Sequence, residues 1–299
     1  MLLFPVLLML APLPVHSTGK LTAYTVNYPL RYFAERIGGD RVDVHFPAPK
    51  DIDPAFWSPN AETIAAYQKA ELIILNGANY AKWVSKVALP RLQSVDSSAA
   101  FADQLITEKD VVTHSHGPRG DHSHSGTAFT TWLDFNQAAQ QAEEILKALQ
   151  RKRPEDSEFF AQNFNKLKQD LQSLDTEMLS LSGKATDRQF IASHPVYQYL
   201  TRRYRLNLAA MTWEPDEFPS QEQWQQFSRT LQKNSARWML WEDKPLEKTE
   251  QTLLELGVTV VLFAPSMNVP EDGDFLAIMQ QNVENLKGAL ESGLEQDAR

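Results

Sequence analysis

The feature that most constrains this chain is a stripe of large apolar residues in its middle. Phe160, Phe164, Leu167, Leu171, Leu174, Met178 and Leu181 recur at spacings of four and three, with Lys, Gln, Asp and Glu at most positions between. That period places all seven on one face of an α-helix and the charged groups on the other. No Gly or Pro interrupts the run from near Glu155 to near Ser182, so the spacing predicts one unbroken helix. At about 1.5 Å per residue it would reach roughly 40 Å, enough to cross two structural halves. As a stiff link it would also limit hinge motion between them.

On both sides of the stripe the pattern changes to short apolar runs alternating with helical segments. Before it, Leu21 to Val26, Val42 to Phe46 and Leu72 to Leu75 read as strands, the last ending at the turn Asn76-Gly77. Leu30 to Ile37 and Glu62 to Ala70 have helical spacing, the first stopping at Gly38-Gly39. After it, Phe190 to Ser193, Trp238 to Trp241 and Val258 to Phe263 are strand candidates, separated by helical stretches such as Gln221 to Gln232 and Lys248 to Leu256. Such alternation calls for parallel sheets covered by helices. The expected fold class is α/β, with two parallel-sheet lobes, 18–153 and 184–299, joined by a linking helix over 154–183.

The first seventeen residues are almost uninterruptedly apolar, and Val15 and Ser17 suit the −3 and −1 positions of a cleavage site. We read 1–17 as a secretory signal peptide, too short and too Pro-broken for a membrane-spanning helix. The mature chain is then expected in a periplasm. The 299 residues contain no Cys, which removes disulfide scaffolds, thiolate metal sites and cysteine nucleophiles. Lys and Arg number 29 against 38 Asp and Glu, a formal charge of −9. Nucleic-acid binding depends on neutralising phosphates, so this acidity argues against it and for a cationic or neutral solute.

Four of the seven histidines, His114, His116, His122 and His124, fall in the stretch 113–126 among Gly, Ser, Pro and Asp. That composition disfavours helix and strand and predicts a flexible loop. Its paired His-x-His units could capture Zn²⁺ or a similar borderline ion weakly, because ordering a mobile segment opposes binding. Zinc at this loop is the one cofactor the residues suggest. None is required for catalysis, since no Gly-x-Gly-x-x-Gly, Walker, His-Glu-x-x-His or Gly-x-Ser-x-Gly motif is present and the chain does not read as an enzyme.

Several segments, in order, resemble the metal-binding solute receptors of bacterial zinc and manganese ABC transporters. They are Asp53-Pro-Ala-Phe-Trp-Ser-Pro59 with Ala70 to Gly77, Trp132-Leu-Asp134, Ser193-His-Pro-Val-Tyr-Gln-Tyr-Leu200 with Arg203 to Leu206, Glu214 to Ser220, Glu242, and Gly257 to Pro265. The resemblance covers nearly all the mature chain and implies a two-lobed receptor that hands its solute to a membrane permease. It also implies a cation held by three His and a carboxylate or a similar four-ligand set. Carried over by position, three of those ligands are Ala55, Thr130 and Ala264, and only His194 survives.

If the family's fold is kept, Asp53, Trp57, Trp132, His194, Trp213, Glu214 and Glu242, with Asp243 beside it, line or flank the cleft. The leading expectation is an extracytoplasmic receptor for metal, chiefly zinc, using His194, Glu242 and the loop histidines. One alternative is a receptor for a metal chelate or small organic cation, held by Asp53, Glu214 and the tryptophans Trp57, Trp132 and Trp213. A second is a metal buffer or chaperone whose only binding element is the His loop. One imidazole should not hold a bare ion tightly, so any tight cleft ligand is expected to be larger than one ion and to touch Trp57 or Trp213.

Overall fold

The computed structural model describes residues 19–297 apart from 109–112, 116–120 and 124–125, and at 108, 113–115, 121–123 and 294–297 it describes backbone alone. The leader read over 1–17, and His116 and His124, lie outside the described residues. In the first lobe, strand β1 (Leu21–Thr25) leads into α1 (Tyr28–Gly38), β2 (Val42–His45), α2 (Ala61–Lys69), β3 (Leu72–Leu75) and β4 (Ser94–Asp96). The four strands form one parallel sheet in the order β2-β1-β3-β4. Asn27 caps α1 by accepting from Leu30 N, and Pro29 in the first turn loses no helical hydrogen bond.

Within 113–126, anticipated as a loop, the described residues are strands. Strands β5 (Thr107–Glu108) and β8 (Gly126–Thr127) pair antiparallel, and beyond them so do β6 (Thr113–Ser115) and β7 (Asp121–Ser123). His114 stands opposite His122 in that ladder. Composition misled here because a hairpin needs only a few cross-strand bonds, which Ser, Thr and His supply as readily as apolar residues do.

Helix α3 (Phe135–Lys152) begins at Asp134, whose Oδ1 accepts from the Asn136 and Gln137 amides at 3.1 Å each. Helix α4 (Ser157–Lys184) is the anticipated linker, a single 28-residue helix with the whole stripe from Phe160 to Leu181 buried. It packs on α1 and α3 on one side. The second lobe continues with β9 (Gln189–Ala192), α5 (Gln198–Tyr204), β10 (Asn207–Ala210), α6 (Gln221–Asn234), β11 (Trp238–Trp241), α7 (Glu247–Glu255), β12 (Thr259–Leu262) and α8 (Phe275–Asp297). Its sheet is also parallel, in the order β10-β9-β11-β12. The other end of α4 packs on α5 and α8, and there Arg203 forks onto Asp175 at 3.0 and 2.6 Å.

The two lobes thus repeat one topology. In each, the first strand of the sheet has its neighbours added first on one side and then on the other, so the strand order reverses between β1 and β3, and between β9 and β11. One continuous apolar core runs from the first sheet through α4 to α8 and the near face of the second sheet. A smaller core of Trp213, Trp241, Phe227 and Leu253 fills the far face beneath α6 and α7. Direct bonds also stitch the lobes. Trp132 Nε1 donates to Pro265 O at 2.8 Å, Tyr28 N to Met267 O at 3.1 Å, and Tyr199 OH to Ala128 O at 2.9 Å.

Candidate functional site

In open parallel sheets the crevice beyond the carboxyl ends of the strands, where strand order reverses, is where ligands bind. In the second lobe His194 follows β9 and Glu242 follows β11, so the two sit on either side of that reversal. The turn is fixed by backbone bonds, Ser193 N to Leu240 O at 2.8 Å and Trp213 N to Ser193 O at 2.7 Å. These hold the residues after β9, β10 and β11 together. Glu214 arrives beside them from the segment after β10.

His194 is 5% exposed. Its Nδ1 lies 2.8 Å from Glu242 Oε1, and its Nε2 lies 3.8 Å from Glu214 Oε1. Burial opposes charge on the ring, but Glu242, by charge and hydrogen bond, then Glu214 and Asp53 outweigh it and hold the imidazole above its usual value. Asp53 acts from the other lobe. Its Oδ1 accepts from Ala55 N at 2.8 Å, and its charge adds to the burial that pushes the Tyr80 phenol up, while opposing the burial that pulls Lys82 down. Asp53, His194, Glu214 and Glu242 therefore form one acidic patch around one imidazole.

Two of the three expected tryptophans are buried away from this patch. Trp213 is 1% exposed and packs against Trp224, Phe227 and Trp241 in the smaller core, so it cannot touch a solute in the crevice. Trp132 is fully buried with Tyr80 against it, and its indole N–H is spent on Pro265 O. Both belong to packing, because a large ring removed from water contributes about 2–3 kcal/mol wherever it lies. Trp57 is half-buried on the segment carrying Asp53, its amide donating to Asp53 O at 3.0 Å. Asp243 is exposed, its Oδ1 accepting from Lys244 N at 2.7 Å.

The three positions where the resemblance implies lost ligands serve the fold. Ala55 is fully buried. Thr130 Oγ1 donates across the lobes to Val196 O. Ala264 is clamped by Asn282, whose Oδ1 accepts from Ala264 N at 2.9 Å and whose Nδ2 donates to Ala264 O at 2.8 Å. Among the described residues no three His, Asp or Glu side chains converge as ion ligands. A four-ligand cage for a bare zinc ion is not what these side chains build.

Sequence reasoning missed a second set of residues at the equivalent crevice of the first lobe. Asn27 follows β1 and Asn76 follows β3, and Asn27 Nδ2 donates to Asn76 Oδ1 at 3.0 Å. Gln141 Nε2 donates to Asn76 Oδ1 at 3.2 Å and to Ser97 Oγ at 3.0 Å, and Asn76 Nδ2 donates to Phe129 O at 3.0 Å. Gly77, at φ +72°, turns the chain just beyond, where a Cβ would meet Ser98 Oγ at 1.9 Å. An Asn within two residues of the end of each of two buried strands was the available signal. Asn282 had none, since its partner lies 18 residues away on another element.

The family profile described as zinc-uptake complex component A, periplasmic, matches residues 24–289. The zinc-binding lipoprotein AdcA of Streptococcus pneumoniae is 26% identical over 283 residues, covering 91% of this chain and 56% of the relative, so the chain spans about half the length of that protein. The high-affinity zinc uptake system protein ZnuA of Bacillus subtilis is 26% identical over 280 residues, covering 91% of this chain and 88% of the relative. The crystal structure of Zn(II)-bound AdcA from Streptococcus pneumoniae superposes with a TM-score of 0.77 at 22% identity, over 90% of this chain and 57% of that one. With more than half of its residues matched in one continuous span and the same fold, the chain belongs to the family of periplasmic zinc-uptake components.

Proposed function

We propose that the chain is the extracytoplasmic solute-binding component of an ABC transporter of the zinc and manganese uptake class, handing a metal-related solute to a membrane permease. The observation that carries this reading is the acidic crevice with His194 at its centre, in a chain matched from 24 to 289 by the zinc-uptake family. A receptor needs a fixed crevice and a field that draws cations, and Asp53, Glu214 and Glu242 provide that field. Its relatives carry zinc in their names, AdcA as zinc-binding and ZnuA as zinc uptake. No helix of the described residues is long and apolar enough to cross a membrane. The periplasmic location is our reading from the family and from the leader-like residues 1–17. The site lines are His194 and Glu242 with Asp53 and Glu214, and the loop histidines 114, 116, 122 and 124 serve as a weak zinc-capturing outpost. Uptake of radiolabelled zinc and manganese should fall in cells deprived of this chain. Unchanged uptake of both ions would end the reading.

A further inference from the structure

The outer edge of the second sheet is left open. Strand β12 ends the order β10-β9-β11-β12, two places from β9 and the crevice residue His194 that follows it. Thr259 N donates to Arg237 O and Phe263 N to Trp241 O, both at 2.8 Å, so residues 259, 261 and 263 face β11. Alternate residues of a strand turn their N–H and C=O to opposite edges. Val260 and Leu262 therefore turn theirs outward, about 6.6 Å apart along the edge. Among the described residues, only Leu262 O of these four groups has a partner, Asn285 Nδ2 at 3.0 Å. A side-chain amide there already stands where the N–H of a further strand would be.

This outward row lines a groove of about 560 Å³. Helix α7 covers one face of the sheet at β12 and α8 the other, and the groove runs between them, with Glu250 on one wall and Asn285, Gly288 and Ser292 on the other. Small residues keep the second wall low, and a Cβ on Gly288 would meet nothing within 4 Å. Lys244 also lines the groove, and neither it nor Glu250 is in an ion pair with another described residue. Strand β2, at the edge of the first sheet, carries Asp43 and His45, whose polar side chains discourage strand addition, whereas β12 reads Thr-Val-Val-Leu.

These features decide what the groove accepts. Backbone groups repeated every second residue match an extended chain and no compact solute. A second copy of this chain is a poor fit, because its β12 is recessed between its own α7 and α8, and two recessed edges cannot meet. One Lys and one Glu along the walls complement a segment with a charge of each sign rather than a polyanion. We propose that this groove binds an extended peptide segment of a partner protein, which adds to β12 as a fifth strand through Val260 and Leu262. The contact lies outside the metal crevice and does not depend on the solute held there.

The test uses the full chain and a labelled eight-residue peptide of alternating Thr and Val, with Lys at one end and Glu at the other, made in both charge orders. Fluorescence anisotropy should show saturable binding of at least one order with a Kd below about 1 mM. Methylating one set of alternate peptide nitrogens should weaken it about tenfold or more, and methylating the other set should change it little, because an added strand pairs along one edge only. Gly288→Leu places a side chain in the groove and should also weaken binding about tenfold or more. Its unfolding midpoint should not fall, since Leu is a better helix former than Gly. Amide exchange at Val260 and Leu262 should slow when the peptide saturates the chain, with Ile191 on β9 unchanged. No binding of either peptide, equal binding of both methylated forms, or an unaffected Gly288→Leu variant would overturn the inference. Sedimentation showing a dimer that Gly288→Leu abolishes would assign the groove to a second copy and overturn it as well.

Discussion

The two lobes present the same crevice built from opposite chemistry. In each, the reversal of strand order leaves an opening between the first and third strands of the lobe. In the first lobe it is filled by neutral groups, Asn27, Asn76, Gln141 and Ser97, which satisfy one another by hydrogen bonds. In the second lobe it holds His194 between Glu242 and Glu214, a set whose charge depends on pH and on any cation present. A buried amide network has no ionisation to change, so it serves to fix the lobe. An imidazole among carboxylates keeps an ionisation that pH can change. The fold supplies two equivalent places, and the residue types after the strands decide which one carries a group that titrates.

Breaking the neutral side should have the larger effect on stability. Asn76→Ala would leave Asn27 Nδ2 and Phe129 O without their partner and cut one of the bonds of Gln141. The expected loss is about 3 kcal/mol in urea unfolding. The loss should not vary between pH 5 and 8, since nothing in that network titrates there. A pH-dependent loss would contradict the contrast between the lobes.

Glu242→Gln sharpens the charged side. The folded-state pKa of His194 is raised. The stability it contributes is therefore fully present below its unfolded value of about 6.5 and is lost as pH rises through the folded value. Removing the Glu242 charge should cost about 2 kcal/mol near pH 6, and the two unfolding profiles should converge at higher pH. Parallel profiles would show that the pair is a neutral hydrogen bond like those of the first lobe.

A smaller effect tests how the crevices are held facing each other. Trp132→Phe removes the donor to Pro265 O and part of a fully buried indole, at a cost of about 1.5 kcal/mol, with no change in the pH profile. Smallest of all, replacing the four loop histidines by serine should leave the unfolding midpoint unchanged. It should remove a weak zinc-binding component measured by calorimetry, one that in the parent weakens as pH falls through about 6.5, where free imidazole protonates. An unchanged weak component would place zinc capture elsewhere on the chain.

Much of the architecture could be read from local pattern. The stripe from Phe160 to Leu181 marked α4, and the short runs at Leu72–Leu75 and Trp238–Trp241 marked buried strands, because side-chain period follows directly from backbone geometry. Helix α8 was passed over, and α3 was signalled only by the resemblance at Trp132-Leu-Asp134, whose Asp caps it. In the crevice, His194 was visible in sequence, and the resemblance pointed to Ala55, Thr130 and Ala264. The pairing of its two ring nitrogens with different carboxylates was not. Nothing local in Glu214 or Glu242 says which faces Nδ1 and which faces Nε2, because that depends on strand register and on the crossovers between β9, β10 and β11.

What the sequence by itself determined is therefore much of the set of elements and their order, since helical and extended periods are properties of neighbouring residues. Tertiary structure alone decided the fate of the aromatic and polar side chains. Trp132 and Trp213 look like cleft residues in a row of letters and are core residues in the folded chain, because burial depends on what packs from the far side of a sheet or from the other lobe. Asn282 closes on Ala264, and Asn76 on Asn27 and Gln141, over separations that no period records. A side chain's partner across space is set only when the whole chain has chosen its topology, and the chemistry of the crevice is made of such partners.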